Sequence, residues 1–257
     1  MPQAILVASF GTRYAKTRAN TIGAVEAEIR KAYPGHHIAV AYTSRRIRHS
    51  LAEIGIHIDA PEQAMERLLA DGFREILVQP TYLICGEEYD RLLHILRGYQ
   101  KRASIRVGLP MLATSRDLCE ASALLCSRFP QEAGVCTIFM GHGSPHPANA
   151  VYPALAYRMQ LSGRQDLWVA TVDGYPTLYD ILPQLKTKYR KVRLAPLMLV
   201  AGEHAFQDMA GKNPNSWKSV LQATGMAVEL ILHGLGEDPD FRAFYLRHMT
   251  EAKPLCS

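Results

Sequence analysis

Two histidines in the second half of the chain lie at positions from which they could bind a metal ion. His142 lies between two glycines, directly after an apolar run that predicts a strand. Flanking glycines let the backbone turn sharply and leave an imidazole open to an incoming ligand. The alternative is a turn histidine that bonds only to the local backbone, and His142 alone does not decide between the two.

His204 favours the metal site because it follows another apolar run, residues 197–203. The carboxyl ends of neighbouring parallel strands meet at one edge of a sheet, so we expect the two imidazoles to lie close together. A pair of imidazoles binds divalent first-row metals such as Co, Fe, Ni or Zn. We therefore predict a metal site that contains His142 and His204.

Asp173 is a third candidate, at the end of the strand-like run 167–172 and just before Gly174-Tyr175-Pro176. A carboxylate there completes a set of two histidines and one carboxylate, which leaves coordination positions open for a substrate. The same residue is equally suited to cap a turn or helix. Both interpretations remain open from the residues alone.

Strand-like runs alternate with amphipathic segments along the chain. The predicted strands are 4–9, 37–43, 75–81, 105–109, 136–140, 167–172, 192–199 and 227–232, and the predicted helices are 20–33, 61–70, 87–99, 179–188, 203–209 and 239–251. This alternation predicts an α/β fold with parallel sheets that helices cover on both faces.

The two parts of this pattern correspond to each other. Residues 77–87 can be laid over 193–203 with Pro80 at the place of Pro196, and residues 7–12 over 139–144. Two matches in the same order indicate two related α/β halves. We assign residues 1–125 to the first half and 126–257 to the second, which carries His142 and His204.

Open α/β sheets bind ligands at the carboxyl ends of their strands, so the matched turns predict a cleft between the halves. Its expected walls are Phe10–Arg13, Tyr82–Glu88, His142–His146 and Leu199–His204. The residues expected to contact a substrate are Phe10, Thr12, Tyr82, Glu87, Glu88 and Ser144. Glu87 has an alternative role in capping the helix that follows it.

Composition narrows the class of protein. The net charge of +5 is mild and is not concentrated in one tract, so we expect no nucleic-acid partner. The basic stretch 45–49 is predicted to be a solvated helix face; the alternative is that it neutralises a polyanionic ligand. Five scattered cysteines, Cys256 among them, predict reduced thiols. Without a signal-peptide pattern near Met1–Gln3 or an apolar run of roughly 20 residues, we expect a soluble, cytoplasmic protein with no membrane partner. Homo-oligomer formation is compatible with the apolar edges of either half.

Two other chemistries are not supported. The segment around Ser144 is not the G-x-S-x-G turn of a serine nucleophile. The glycines form neither a dinucleotide-binding nor a phosphate-binding loop.

Several short motifs then identify a family, which the chain resembles from residue 4 to about residue 250. In order they are SFGT (9–12), GEEY (86–89), MGHGS (140–144), PLMLVAG (196–202), DMA (208–210), SWK (216–218) and GLGE (234–237). Together they resemble the anaerobic sirohydrochlorin cobaltochelatases of the CbiK type, which are class II tetrapyrrole chelatases.

This resemblance implies two Rossmann-like halves around a cleft and a lyase-type activity. The implied reaction is the ATP-independent insertion of Co²⁺ into sirohydrochlorin or precorrin-2 in cobalamin biosynthesis, a branch of porphyrin-type metabolism. No cofactor is implied beyond the substrate metal ion, Co²⁺, with Fe²⁺ and Ni²⁺ as other candidates. The family's two metal-binding histidines fall on His142 and His204, and its glutamate falls on Asp173.

Two residues depart from the family pattern. Asp173 is one methylene shorter than glutamate, and Tyr82 stands where relatives carry histidine.

In the expected mechanism His142 accepts a proton and holds the metal with His204, while Asp173 takes the second proton. The alternatives are Fe²⁺ insertion to make sirohaem, a non-catalytic tetrapyrrole or metal carrier, and a two-lobed receptor of the periplasmic-binding type, which is expected to carry an export signal.

Overall fold

The computed structural model describes residues 4–255, so Met1–Gln3 and Cys256, on which two of the sequence interpretations depend, lie outside the described residues. The chain forms two compact α/β units. The first contains the residues up to Ala113 together with those from Gly236 onward, and the second runs from Thr114 to Leu235.

The first unit has a five-stranded sheet in the order β2-β1-β3-β4-β9. The strands are β1 (Ala4–Ser9), β2 (His37–Tyr42), β3 (Glu75–Pro80), β4 (Ser104–Val107) and β9 (Lys253–Pro254), of which only β9 is antiparallel to its neighbour. Its helices are α1 (Ala15–Asn20), α2 (Ile22–Ala32), α3 (Arg45–Ala52), α4 (Pro61–Ala70), α5 (Glu87–Arg97) and α10 (Pro239–Thr250). Every residue of β1 is buried, as expected for a central strand that helices cover on both faces.

The second unit has a four-stranded parallel sheet in the order β6-β5-β7-β8. Its strands are β5 (Val135–Gly141), β6 (Leu167–Thr171), β7 (Lys191–Pro196) and β8 (Ala227–Leu230). Its helices are α6 (Ser115–Arg128), α7 (Val151–Leu161), α8 (Leu178–Lys188) and α9 (Trp217–Ala223). A 3₁₀ turn at Pro147–Ala150 and a π-helical turn at Ala205–Met209 complete it.

The predicted α/β fold with parallel sheets is confirmed, and so is the internal correspondence. The order β2-β1-β3-β4 of the first sheet matches β6-β5-β7-β8 of the second. Ala8 pairs with Pro80, and Met140 pairs with Pro196, in the register that the sequence match implies. The residue after each proline donates its N–H to the carbonyl of the paired residue, over 2.8 and 2.7 Å.

The predicted division of the chain between residues 125 and 126 was wrong in two respects. The second unit begins earlier, at Thr114, and it ends at Leu235 instead of at the end of the chain. Helix α6 packs against α7 and belongs to the second unit. The C-terminal segment returns to the first unit, where β9 pairs with β4 and α10 packs against β3 and α2. The Tyr245 hydroxyl in α10 donates to the Thr81 carbonyl over 3.1 Å. An apolar helix face does not reveal from sequence which of two sheets it will cover.

The basic stretch beginning at Arg45 lies in α3, where Arg45 and Arg46 are exposed, as predicted for a solvated helix face. The four cysteines within residues 4–255 are all free thiols. None of the helices in that range has the length and apolar character needed to cross a membrane.

Candidate functional site

His142 follows β5, the strand that lies between β6 and β7 in the second sheet. A Cβ atom at Gly141 would overlap the ring of Tyr152. Gly143 has a φ of +82°, and a Cβ atom there would lie 2.5 Å from the backbone nitrogen of Gly174. Glycine is therefore required on both sides of the histidine, by close packing on one side and by a left-handed backbone on the other.

The His142 ring has one nitrogen held by the backbone. Its Nδ1 lies 2.9 Å from the carbonyl oxygen of Gly143. Because a carbonyl can only accept a hydrogen bond, Nδ1 donates, and the lone pair of the neutral ring is on Nε2. The side chain is exposed, so that nitrogen remains accessible to a ligand.

His204 precedes the π-helical turn at Ala205–Met209, beyond the end of β7. Its Nδ1 lies 2.6 Å from Oδ2 of Asp208. Single π-helical turns of this kind are frequent at functional sites. The contact with Asp208 was not predicted from the sequence, although two residues spaced four apart in a helical segment are neighbours and could have indicated it.

The structure brings the two predicted histidines together. Their ring centroids are 4.5 Å apart, and the ring planes meet at 85°. The predicted proximity at adjacent strand ends is therefore confirmed, and binding of one ion by both rings stays a prediction.

Asp173 follows β6 and is tied to the His142 turn through the backbone. Its N–H donates to the His142 carbonyl over 2.8 Å. The side chain of Asn149 joins the same two loops, because it accepts from the Ser144 N–H at 3.1 Å and donates to the Tyr175 carbonyl at 2.7 Å. The loops after β5 and β6 therefore form one hydrogen-bonded structure. This role of Asn149 was not predicted from the sequence.

The carboxylate of Asp173 is not assembled with the histidines into a ligand set. Within residues 4–255, no group of three or more His, Cys, Asp and Glu side chains is placed to hold a metal ion. Helix α8 does not use Asp173 as its cap, since Thr177 and Asp180 form its capping box. Ligation by Asp173 stays a prediction, and its exposed side chain is accessible to solvent.

Three of the predicted substrate contacts in the first unit differ in exposure. Phe10 is 48% exposed, whereas Thr12 is buried and accepts a hydrogen bond from the Tyr14 N–H at 3.3 Å. Glu87 is exposed in the first turn of α5, where a carboxylate interacts favourably with the helix dipole. The N-cap of α5 is Gly86 and no side-chain hydrogen bond caps the helix, so Glu87 acts at the helix end through its charge and not as a cap.

The other two, Tyr82 and Glu88, belong to a group of buried oxygens. The hydroxyls of Tyr82 and Thr43 and Oε2 of Glu88 are buried without a hydrogen bond of regular geometry. Burial raises the pKa of Tyr82 far above its ordinary value, with Thr43 lowering it and Glu88 raising it further. Buried polar atoms without full partners are costly, so these three atoms are the strongest indication of a polar contact site in the first unit.

Ser144, the remaining predicted contact, supports its own turn. Its Oγ accepts from the His146 N–H at 3.0 Å, while its own N–H is held by Asn149. A contact between Ser144 and a substrate stays a prediction, as it does for the residues in the first unit.

Comparison with known proteins agrees with this description. Residues 3–253 match the family described as cobalt chelatase (CbiK). The chain is 34% identical over 258 residues to the sirohydrochlorin cobaltochelatase of Salmonella typhimurium, covering 98% of this chain and 97% of that protein. It is also 34% identical over 256 residues to the sirohydrochlorin cobaltochelatase CbiKC of Nitratidesulfovibrio vulgaris, covering 96% of this chain and 89% of that one.

Solved structures show the same fold at low sequence identity. SirB from Bacillus subtilis with Fe³⁺ has a TM-score of 0.68 and 14% identity, covering 98% of this chain and 95% of SirB. DR2241 from Deinococcus radiodurans, a multi-domain protein with structural similarity to chelatases, has a TM-score of 0.58 and 14% identity, covering 97% of this chain and 55% of that protein. By the family match and the two curated relatives, the chain belongs to the cobalt chelatase (CbiK) family.

Proposed function

We propose that this protein is a metal chelatase that inserts Co²⁺ into sirohydrochlorin in cobalamin biosynthesis. The family match over residues 3–253 and the names of two relatives at 34% identity support this substrate and this metal. The structural observation that carries the proposal is the pair of imidazoles of His142 and His204, with ring centroids 4.5 Å apart.

The reaction requires an exchange of one ion for two protons. Co²⁺ enters the macrocycle, the two pyrrole N–H bonds break, and both protons leave, so charge and atoms balance without ATP or a redox partner. The ion must also lose its bound water. A neutral imidazole, with an ordinary pKa of about 6.5, can bind the ion or accept a proton near neutral pH. Since Nδ1 of each ring is already bonded, Nε2 of His142 and of His204 performs these tasks.

The proton transfers are divided between residues of the second unit. His142 is exposed and first holds the ion with His204 through its Nε2; once the ion has passed to the macrocycle, the same nitrogen is free to accept the first proton. Asp173 follows the adjacent strand and is also exposed, so it takes the second proton and passes it to solvent. This role does not require the Asp173 carboxylate to bind the metal.

In the first unit, Phe10 is the proposed contact with the macrocycle, because its aromatic ring is exposed. The hydroxyls of Tyr82 and Thr43 are buried, so they are not open to a substrate in this conformation. No cofactor beyond the substrate metal is proposed. Action in the cytoplasm is also proposed, which the four free thiols support.

The test is an anaerobic absorbance assay of sirohydrochlorin with purified protein and Co²⁺, Fe²⁺ or Ni²⁺ supplied separately. We expect spectral conversion faster than the protein-free control and fastest with Co²⁺. A higher rate with Fe²⁺ would instead assign the protein to sirohaem synthesis. Binding of sirohydrochlorin without acceleration by any metal would identify a carrier and overturn the proposal.

A further inference from the structure

The π-helical turn after His204 has a buried side and a side that faces the candidate metal site. Ala205 and Met209 are fully buried and anchor the turn in the core of the second unit. His204 and Asp208 each precede one of these anchors by one residue, and their side chains are 35% and 44% exposed. The same local geometry therefore fixes the backbone of the turn and brings the imidazole and the carboxylate together.

We propose that Asp208 is a positioning residue that fixes the orientation and the tautomer of His204, so that Nε2 is the nitrogen that meets the metal. The Nδ1 of His204 lies 2.6 Å from Oδ2 of Asp208, within the range of a charge-assisted hydrogen bond. An ionised carboxylate accepts hydrogen bonds and cannot donate them, so the proton lies on Nδ1. The inference rests on the proposed function for the identity of the metal, but the tautomer can be measured without it.

The two histidines are held by different kinds of acceptor. Nδ1 of His142 donates to a neutral backbone carbonyl, that of Gly143, at 2.9 Å. Nδ1 of His204 donates to a charged side chain at a shorter distance. A carboxylate raises the basicity of an imidazole ligand more than a neutral acceptor does, and removal of such a partner typically lowers metal affinity by about 10- to 100-fold. His204 is therefore the stronger metal ligand of the pair, which leaves His142 for proton transfer.

Gln207 provides a matched control on the same turn. It is exposed, it lies next to Asp208, and its position within the turn is not part of the histidine contact. Gln207→Ala and Asp208→Ala thus remove neighbouring side chains from the same local backbone. Asp208→Asn keeps an oxygen acceptor of nearly the same shape but removes the charge.

The first measurement is nitrogen NMR of the full-length protein labelled at histidine, at mildly alkaline pH and without metal. His204→Gln assigns the His204 signals. We expect the wild-type His204 to show the tautomer with the proton on Nδ1, and we expect Asp208→Ala to show a mixture, whereas Gln207→Ala keeps the wild-type pattern. A wild-type His204 with its proton on Nε2 would overturn the proposal.

The second measurement is titration with Co²⁺ alone, without tetrapyrrole. We expect the Kd to rise about 10- to 100-fold in Asp208→Ala, to rise less in Asp208→Asn and to stay unchanged in Gln207→Ala. Unchanged Co²⁺ affinity in Asp208→Ala would also overturn the proposal. If both measurements agree with expectation while the wild-type protein metallates nothing, the positioning role stands and the proposed chelatase function fails.

Discussion

The imidazole rings of His142 and His204 meet edge to face at 85°, with their centroids 4.5 Å apart, although the two residues are 62 positions apart in the chain. The adjacency of β5 and β7 produces this contact, since each histidine follows one of the two paired strands. We propose that the two rings act together on one ion and one macrocycle, and variants that remove either ring test this.

We expect His142→Ala and His204→Ala each to lower kcat/KM for sirohydrochlorin metallation by about 100-fold or more, the size of a lost general base. The double variant should lose little beyond the larger single effect, because residues that act together are not additive. Steady-state rates with Co²⁺ test this. His94→Ala removes an exposed histidine on α5 and should leave the rate unchanged. Two independent losses that multiply would contradict a shared site.

Asp173 should matter through its charge. We expect Asp173→Asn to lower kcat about tenfold or more with a small change in the KM for Co²⁺, because a proton acceptor is lost while the two imidazoles remain. Asp173→Glu should retain most activity. Asp71→Asn, at an exposed carboxylate beyond the end of α4, is the control. A large rise in KM with little change in kcat would show instead that Asp173 binds the metal directly.

Gly143 should be intolerant of a side chain for two separable reasons. Its φ of +82° alone costs an alanine about 1–2 kcal/mol. Gly163 has nearly the same φ, +81°, but nothing lies within 4 Å of an added Cβ atom. We therefore expect Gly163→Ala to lower the free energy of unfolding by only the conformational cost and to keep full activity.

Gly143→Ala should lower the free energy of unfolding further than Gly163→Ala, because the new Cβ atom pushes against the backbone of Gly174. It should also reduce turnover strongly, since the His142 turn and the Asp173 turn must separate. Urea unfolding together with the metallation assay measures both effects. Equal stability and equal activity of the two variants would show that the close approach at Gly143 has no functional role.

Cys136 should be unreactive while the protein is folded. Burial, with the nearby carboxylate of Asp166, raises the pKa of the Cys136 thiol to about 12 from an ordinary value of 9.0. Only the thiolate reacts, so a thiol reagent at neutral pH should label Cys136 after unfolding and label the exposed Cys119 beforehand. Peptide mapping by mass spectrometry distinguishes the two. Rapid labelling of Cys136 in the folded protein would contradict the described burial.

The same shift has a defined effect on stability. The folded protein favours the protonated thiol, so the contribution of Cys136 is complete below pH 9.0 and is lost as the pH rises toward about 12. Cys136→Ala should remove this part of the alkaline loss in unfolding experiments. An identical alkaline profile in the variant would show that other groups are responsible.

The sequence predicted the strands well because buried parallel strands are short apolar runs with clear ends. Both prolines that were matched in advance, Pro80 and Pro196, end their strands in the structure. Helix α7 was not predicted, since apolar residues such as Tyr157 and Leu161 lie on its exposed side and blur its periodicity. The covering of the first sheet by α10 was also not predictable, because it depends on a contact between segments far apart in the chain.

In the candidate site too, features with a local sequence pattern were predicted, whereas contacts that depend on the folded backbone were not. Strand ends and flanking glycines identified His142 and His204, and their proximity followed from the expected strand order. The partners of these residues were harder to foresee. Asp208 acts through a local π-helical turn, and Asn149 through hydrogen bonds to two loops, and neither geometry has a distinctive residue pattern.

Because the C-terminal segment returns to the first sheet, the two units can be completed in a defined order during synthesis. The edge of β4 that β9 covers stays open while roughly 150 further residues are translated. At about 5–20 residues per second, that interval lasts on the order of ten to thirty seconds. An uncovered strand edge can pair with other chains during this time. The unit that carries the two histidines is synthesised as one uninterrupted stretch, so on the ribosome it can be finished before the unit that began first.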